Sequence, residues 1–381
     1  MDIKTREDLQ LYGSTLLQQD NYLLEWCTGV GKTRVPLFIL KPEDKVLIVH
    51  GDRTYYLKSW QEEIGIINSN INAEFTTLQS LTKYVGQEFD YLIFDEADLI
   101  TPNYLEIFQA IKFNRYIFLS AKVKKDKKDL LKKICRFKVH IVKLEEAIEK
   151  EWLPKPEIRV IYLTLDNVHR VHQYILRPKQ AQTVTINYPD RWNWIKVSHA
   201  RVVVKCTAQE YYNYLTEQID YFKGIGKFDI ANMRGSARKR FLAELKSDVV
   251  RKLVLRHSGD RIVTFAGSIA QCEELAGDKA KIHSKQKAAI NRQMLESYNN
   301  YEVNELYNVG SLVRAVSLTS LDIGIVLTLT GDTVEGYQKL GRLMRSKIPI
   351  IYFPTFKNTT EKSKFDKLMG EIKQDYKIVE I

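Results

Sequence analysis

Cysteine is scarce in this chain. Its four residues, Cys27, Cys135, Cys206 and Cys272, form no CxxC pair and no metal-ligand spacing, which argues against a zinc site and for a reducing compartment. Long apolar runs are missing as well. No stretch reaches the ~18 uncharged apolar residues of a membrane helix, and the opening MDIKTREDLQ has no apolar core of a signal peptide. A membrane partner is therefore not expected. No internal repeat and no low-complexity tract is present, and proline is limited to 9 residues, so fibrous and disordered classes drop out. What remains is ordinary globular material: 44% hydrophobic and 28% charged over 381 residues, enough for two or three domains. Negative charge is in deficit, with 47 Asp plus Glu against 58 Lys plus Arg and a net charge of +11. That balance suits a polyanionic partner, an anionic surface or simple solubility.

Short apolar runs alternate with helix-like stretches over residues 1–150: 21–24, 45–50, 75–78, 91–94 and 116–119. This is the pattern of a parallel sheet covered by helices. Two prolines in Trp152-Leu153-Pro154-Lys155-Pro156 end it. Residues 151–256 then read as an accessory segment. It has strands at 157–165, 182–186 and 195–206, an aromatic turn Asn187–Trp192 between the last two, a helix at 208–223 and a basic helix at 236–256. Alternation resumes at 257–381, so the expected fold is α/β: two parallel-sheet domains in tandem with a small α+β segment between them.

Three clusters carry chemistry. Thr28-Gly29-Val30-Gly31-Lys32-Thr33 follows a strand and is expected to open a helix from Thr33. Glycines let backbone N–H groups close on phosphates, Lys32 would reach the terminal phosphates, and the Thr33 hydroxyl would ligate Mg²⁺. Trp26 stands where the GxxxxGK[ST] pattern usually has a small residue. Asp95-Glu96-Ala97-Asp98 ends an apolar strand, at the sheet edge where α/β proteins bind ligands. There Asp95 can hold Mg²⁺ and Glu96 can deprotonate an attacking water. In Gln338–Arg345 (QKLGRLMR), Arg342 and Arg345 share one helix face and could neutralise charge on a γ-phosphate from across a cleft, or simply be solvated.

In order and spacing these clusters resemble the superfamily 2 helicases and translocases, which are two-lobed RecA-like motors. Val46–Val49 with Leu57–Ile64, Thr76–Leu81, Ser120-Ala121-Lys122, Ile262–Gly267, Ile282-His283-Ser284 and Val313–Val326 are similar to the lesser motifs. Lys122, Ala315 and Ser317 are departures from them. The resemblance covers most of 1–150 and 257–355 and implies ATP with Mg²⁺ as cofactors. It also implies a bound adenine read by Gln10, although Arg6 lies four residues before it where three is usual. QKLGRLMR in place of HRIGRTGR, the absence of PTRELA and the compact accessory segment look more like restriction-enzyme motor subunits and phage branch-point helicases than DEAD-box RNA helicases. DNA is thus the expected partner, with a protein partner for full unwinding, in the cytoplasm and of phage origin. An RNA remodeller of the same fold and a non-hydrolysing scaffold stand as alternatives.

Nucleic-acid contacts are expected at Lys122, in the basic run to Lys138, and at Arg191, Trp192, Arg234 and Arg238. The basic helices could equally be solvated faces. The aromatics Tyr188, Trp192 and Trp194 could either wedge strands apart or pack the hairpin onto its own domain.

Overall fold

The computed structural model describes residues 3–50, 55–176, 182–188, 191–197, 202–310, 318–330, 333–344 and 348–381. The first lobe begins with α1 (Arg6–Gln19), started by a capping box in which Thr5 and Asp8 exchange side-chain and backbone hydrogen bonds. It continues through β1 (Tyr22–Trp26), β2 (Val46–His50), α2 (Tyr55–Ile67), β3 (Ala73–Thr77), β4 (Glu88–Asp95), α3 (Leu105–Gln109), β5 (Lys112–Ser120), α4 (Lys125–Lys132), β6 (Lys138–Val142) and α5 (Leu144–Glu149). The strands form one parallel sheet in the order β3-β2-β4-β5-β1-β6. All five residues of β1 and all five of β2 are buried, as expected of central parallel strands covered on both faces.

The second sheet differs from the sequence reading at its edge. β7 (Glu157–Leu163) directly follows the proline linker, yet it belongs to the second lobe rather than to the accessory segment. It pairs with β16 (Ile350–Phe356) over seven residues, placing Ile158 and Val160 in the main core. The pairing is non-local, so no local pattern announces it. The accessory segment is thus an insertion after β7. It comprises β8 (His172–Leu176), β9 (Gln182–Tyr188), β10 (Arg191–Val197), β11 (Val202–Cys206), α6 (Ala208–Gly224), α7 (Phe228–Glu244) and α8 (Ser247–Arg256). β9 and β10 pair antiparallel with Tyr188 opposite Arg191, and β8 pairs antiparallel with β11, as two two-stranded sheets. The side chains of Arg191 and Trp192 lie outside the described residues.

The expected single helix over 236–256 is two helices. The chain breaks at Lys246, whose side chain turns inward to bond Glu361 at 2.7 Å and the Leu327 carbonyl at 2.7 Å. Tyr212 and Leu215 of α6, Phe241 and Leu242 of α7 and Phe356 of β16 share one core, so the insertion is anchored to the second lobe. The rest of that lobe is β12 (Ile262–Phe265), α9 (Ile269–Ala276), β13 (Ala280–Ile282), α10 (Ala288–Asn299), β14 (Glu305–Asn308), β15 (Ile323–Val326), α11 (Thr333–Leu343), β16, α12 (Thr360–Ile372) and β17 (Tyr376–Ile378). Its seven parallel strands run β13-β14-β12-β15-β16-β7-β17.

Candidate functional site

The loop after β1 takes its shape from two glycines in the left-handed region, Gly29 at φ 104° and Gly31 at φ 81°. A side chain at Gly31 would also collide with Gln10, since an added Cβ would lie 2.2 Å from Nε2. No α-helix opens at Thr33. The chain makes successive turns closed by Arg34 N–H to Gly31 O and Leu37 N–H to Arg34 O, then a 3₁₀ turn over Pro36–Phe38. Pro36 has no N–H to offer the Lys32 carbonyl, and Pro42 follows closely, so an α-helix has no room. The loop thus offers turned N–H groups and Lys32, and no long helix dipole.

Lys32 is only 9% exposed and makes no hydrogen bond or ion pair among the described residues. Its charge acts on the nearby Asp95 carboxylate, and its head makes no hydrogen bond there that would keep an anion from joining it. Thr28 is buried beside it. Val30 is fully buried, its carbonyl accepting from Gln10 Nε2 at 2.9 Å. Gln10, 2% exposed and expected to read adenine, thus braces the glycine loop directly. Trp26 does not obstruct the loop. Its indole packs against Gly13 of α1, where any Cβ would lie 2.6 Å from the ring. Its N–H donates to His140 Nδ1 at 2.9 Å, and burial lowers the pKa of that imidazole, keeping it an acceptor. Burial likewise holds the neighbouring Cys27 thiol neutral, its pKa pushed up to about 12.

At the same edge of the sheet, β4 ends in Asp95, 2% exposed, followed by Glu96, 4% exposed. Asp95 Oδ1 accepts from the Glu96 N–H at 3.0 Å and Oδ2 from the Trp60 indole N–H at 3.2 Å. Burial pushes the Asp95 pKa up to about 6, and the Glu96 charge adds to it. Lys32 and the Trp60 hydrogen bond pull the other way. Glu96 adopts φ 54°, ψ 50°, the left-handed region uncommon for a residue with a side chain, and strain of this kind collects at functional sites. Ser120 Oγ donates to Asp98 Oδ1 at 2.8 Å, tying the end of β5 to the acidic turn.

The second lobe closes on this site. Gly341 in α11 lies so near Thr28 that an added Cβ would sit 2.6 Å from Thr28 Cβ and 2.7 Å from its carbonyl oxygen. Arg342 follows immediately, on the last turn of α11. Arg345 lies outside the described residues, as do Ala315 and Ser317. Leu153 of the linker packs on Gly29 from the other side, its Cδ2 within 3.0 Å of where a Cβ would stand.

The proposed nucleic-acid residues go to different places. Lys122 bridges to Glu371 of α12 at 2.9 Å, across the lobes. Arg238 donates to Thr216 at 2.8 Å and lies over the Tyr212 ring, bracing α7 on α6. Arg234 is half-buried on the same helix. His283 is buried and bonded to Glu273 at 2.6 Å. Trp60, Gly13, Leu153 and Gly341 were not singled out from sequence. Their roles follow from what they touch across the fold, and only the burial-prone Trp60 within an amphipathic helix gave any signal.

The residues present suit a nucleotide with a divalent cation: a glycine-lined loop, a buried lysine without a hydrogen bond, and a buried carboxylate next to a second one. No family model matches the sequence, and no curated protein matches it. Solved structures do. The chain is similar to S. cerevisiae Dbp5 bound to RNA and ADP BeF3, with TM-score 0.62 and 11% identity over 97% of this chain and 88% of that one. It is also similar to the Pyrococcus furiosus Hef helicase domain, with TM-score 0.52 and 11% identity over 95% of this chain and 99% of that one. The two parallel-sheet lobes are therefore the tandem RecA-like pair of the helicase fold.

Proposed function

We propose that the protein is a nucleic-acid-stimulated ATPase that moves along or remodels DNA. The observation that carries this reading is Lys32: a lysine only 9% exposed in a two-glycine loop, with no hydrogen bond or ion pair among the described residues, beside a buried Asp-Glu pair and beneath a helix of the other lobe. The loop N–H groups and Lys32 bind the phosphates of ATP. Thr33 and Asp95 would hold Mg²⁺, which would supply neutralisation of phosphate charge. Glu96 orients water and takes its proton, while Arg342, with Arg345, offsets charge developing on the transferred phosphoryl group. ATP favours the closed pair of lobes and hydrolysis releases it, so the lobes ratchet along a strand. The antiparallel pair β9–β10 of the insertion acts as a separating wedge in this reading.

DNA is favoured by QKLGRLMR, by the missing PTRELA segment and by the compact insertion, which also support a likeness to restriction and phage branch-point motors. RNA is the second reading, because S. cerevisiae Dbp5 is bound to RNA. The test is steady-state ATP hydrolysis alone and with single-stranded, duplex and forked DNA and single-stranded RNA, with Glu96→Gln as control. Stimulation by DNA well above RNA, lost in the control, is expected. The reverse order moves the protein to RNA remodelling, and tight polymer binding with no turnover leaves a scaffold.

A further inference from the structure

Helix α2 touches both halves of the nucleotide site from a single face. Trp60 is 1% exposed, and a buried indole needs an acceptor for its N–H. It uses Asp95 Oδ2 at 3.2 Å rather than any backbone carbonyl. One helical turn later, Glu63 accepts from Arg34, Nε to Oε2 at 2.6 Å and Nη2 to Oε1 at 3.3 Å. Arg34 stands two residues after Lys32. Residues three apart on a helix are neighbours, so Trp60 and Glu63 form one brace between the phosphate loop and the acidic strand end.

The consequence for Asp95 is geometric. One carboxylate oxygen is held by the Glu96 N–H and the other by the indole, so the plane of the group is set before any cation arrives. Partners of this kind, one bond removed from a metal, orient a ligand without touching the metal. An indole 1% exposed within the main hydrophobic core has little freedom to turn, which makes it a stiffer support than a water or a surface side chain.

We propose that Trp60 is a positioning residue for divalent-cation binding, fixing the Asp95 carboxylate through its indole N–H. Glu63 and Arg34 keep that support in register with the phosphate loop. This rests on the nucleotide-site reading above, and the experiment separates the two. Trp60→Phe retains a ring for packing and removes only the donor. Mn²⁺ binding is followed by electron paramagnetic resonance in the presence of a non-hydrolysable ATP analogue, and analogue binding is measured separately in EDTA.

The expected result is that Trp60→Phe weakens Mn²⁺ about 10- to 100-fold while analogue binding in EDTA stays at the wild-type value. Equal Mn²⁺ affinity in both proteins overturns the inference and leaves the nucleotide-site reading standing. Failure of the wild type to bind Mn²⁺ with the analogue overturns both. A second readout follows the wild type itself: ¹⁵N-indole spectra of the protein, which has 5 tryptophans. The Trp60 resonance, identified by its hydrogen-bonded shift and its loss in Trp60→Phe or in a Trp60→Tyr variant, moves on adding Mg²⁺ with the analogue if the bond is retained at the ligand. An indole set in which no buried resonance moves overturns the proposal.

Discussion

Lys32 and Asp95 lie in one buried site with opposite costs, and their substitutions should separate binding from stability. Lys32→Met removes the ammonium and keeps an unbranched apolar stem of similar size. Nucleotide binding should vanish in calorimetry while the ligand-free melting temperature holds or rises. Asp95 carries a pH dependence. Its pKa is raised by burial from 3.8 to about 6 in the fold, so the native state binds the extra proton between those values. Stability from this group is therefore present below about pH 4 and lost as pH rises through about 6. Asp95→Asn should melt higher than wild type at pH 8 without metal or nucleotide, with the difference shrinking towards pH 4. Equal melting curves at pH 8 would count against an ionised, buried Asp95.

At the scale of elements, close approach replaces bonding as the organising contact. α1 meets β1 through Gly13 against Trp26, and α11 meets the phosphate loop through Gly341 against Thr28. Gly341→Ala leaves the first lobe's loop intact but forces α11 off it. Nucleotide binding should change little, whereas turnover falls by about 100-fold or more as Arg342 is displaced. Quench-flow single turnovers would check this, and a wild-type rate would show that the helix is not needed at this distance. Lys246 is the other sensitive joint. It is 1% exposed, and burial lowers its pKa despite Glu361. Lys246→Met leaves the buried Glu361 carboxylate with only the Phe356 N–H and no cation, and should cost about 3–5 kcal/mol in urea denaturation, with Lys246→Met/Glu361→Leu recovering most of it.

Over the whole molecule, the two lobes meet through polar pairs at the edge and packing at the centre. Lys122 with Glu371 at 2.9 Å and Lys373 with Glu145 at 2.6 Å span the lobes at partly exposed positions. Each pair is worth about 0–1 kcal/mol and weakens with salt. Fluorescence transfer between dyes on the two lobes should therefore decrease from 50 mM to 500 mM NaCl. Glu371→Lys should give the open value already at low salt, and Lys122→Glu added to it should restore closure. A lobe distance indifferent to both salt and charge would show that packing at Gly341 and Leu153 alone holds the lobes.

Much of this was legible in the order of residues. Buried parallel strands are written as apolar runs, and a phosphate loop is written as glycines before Lys32, because both depend on neighbours in the chain. The two-lobe architecture, the acidic strand end at Asp95 and the arginine helix α11 follow from such local signals. Other features depend on partners hundreds of residues away or on a backbone turn no pattern encodes. β7 joins the second sheet because Ile350–Phe356 offers an open edge, the expected helix after Thr33 yields to Pro36, and Lys122 finds Glu371 rather than open solvent. Trp60 reaches Asp95 only because α2 packs across the sheet between them. Chemistry that needs a residue type at a set spacing can be read along the chain, whereas orientation, charge pairing and support for the site arise from distances that only folding brings to a few ångströms.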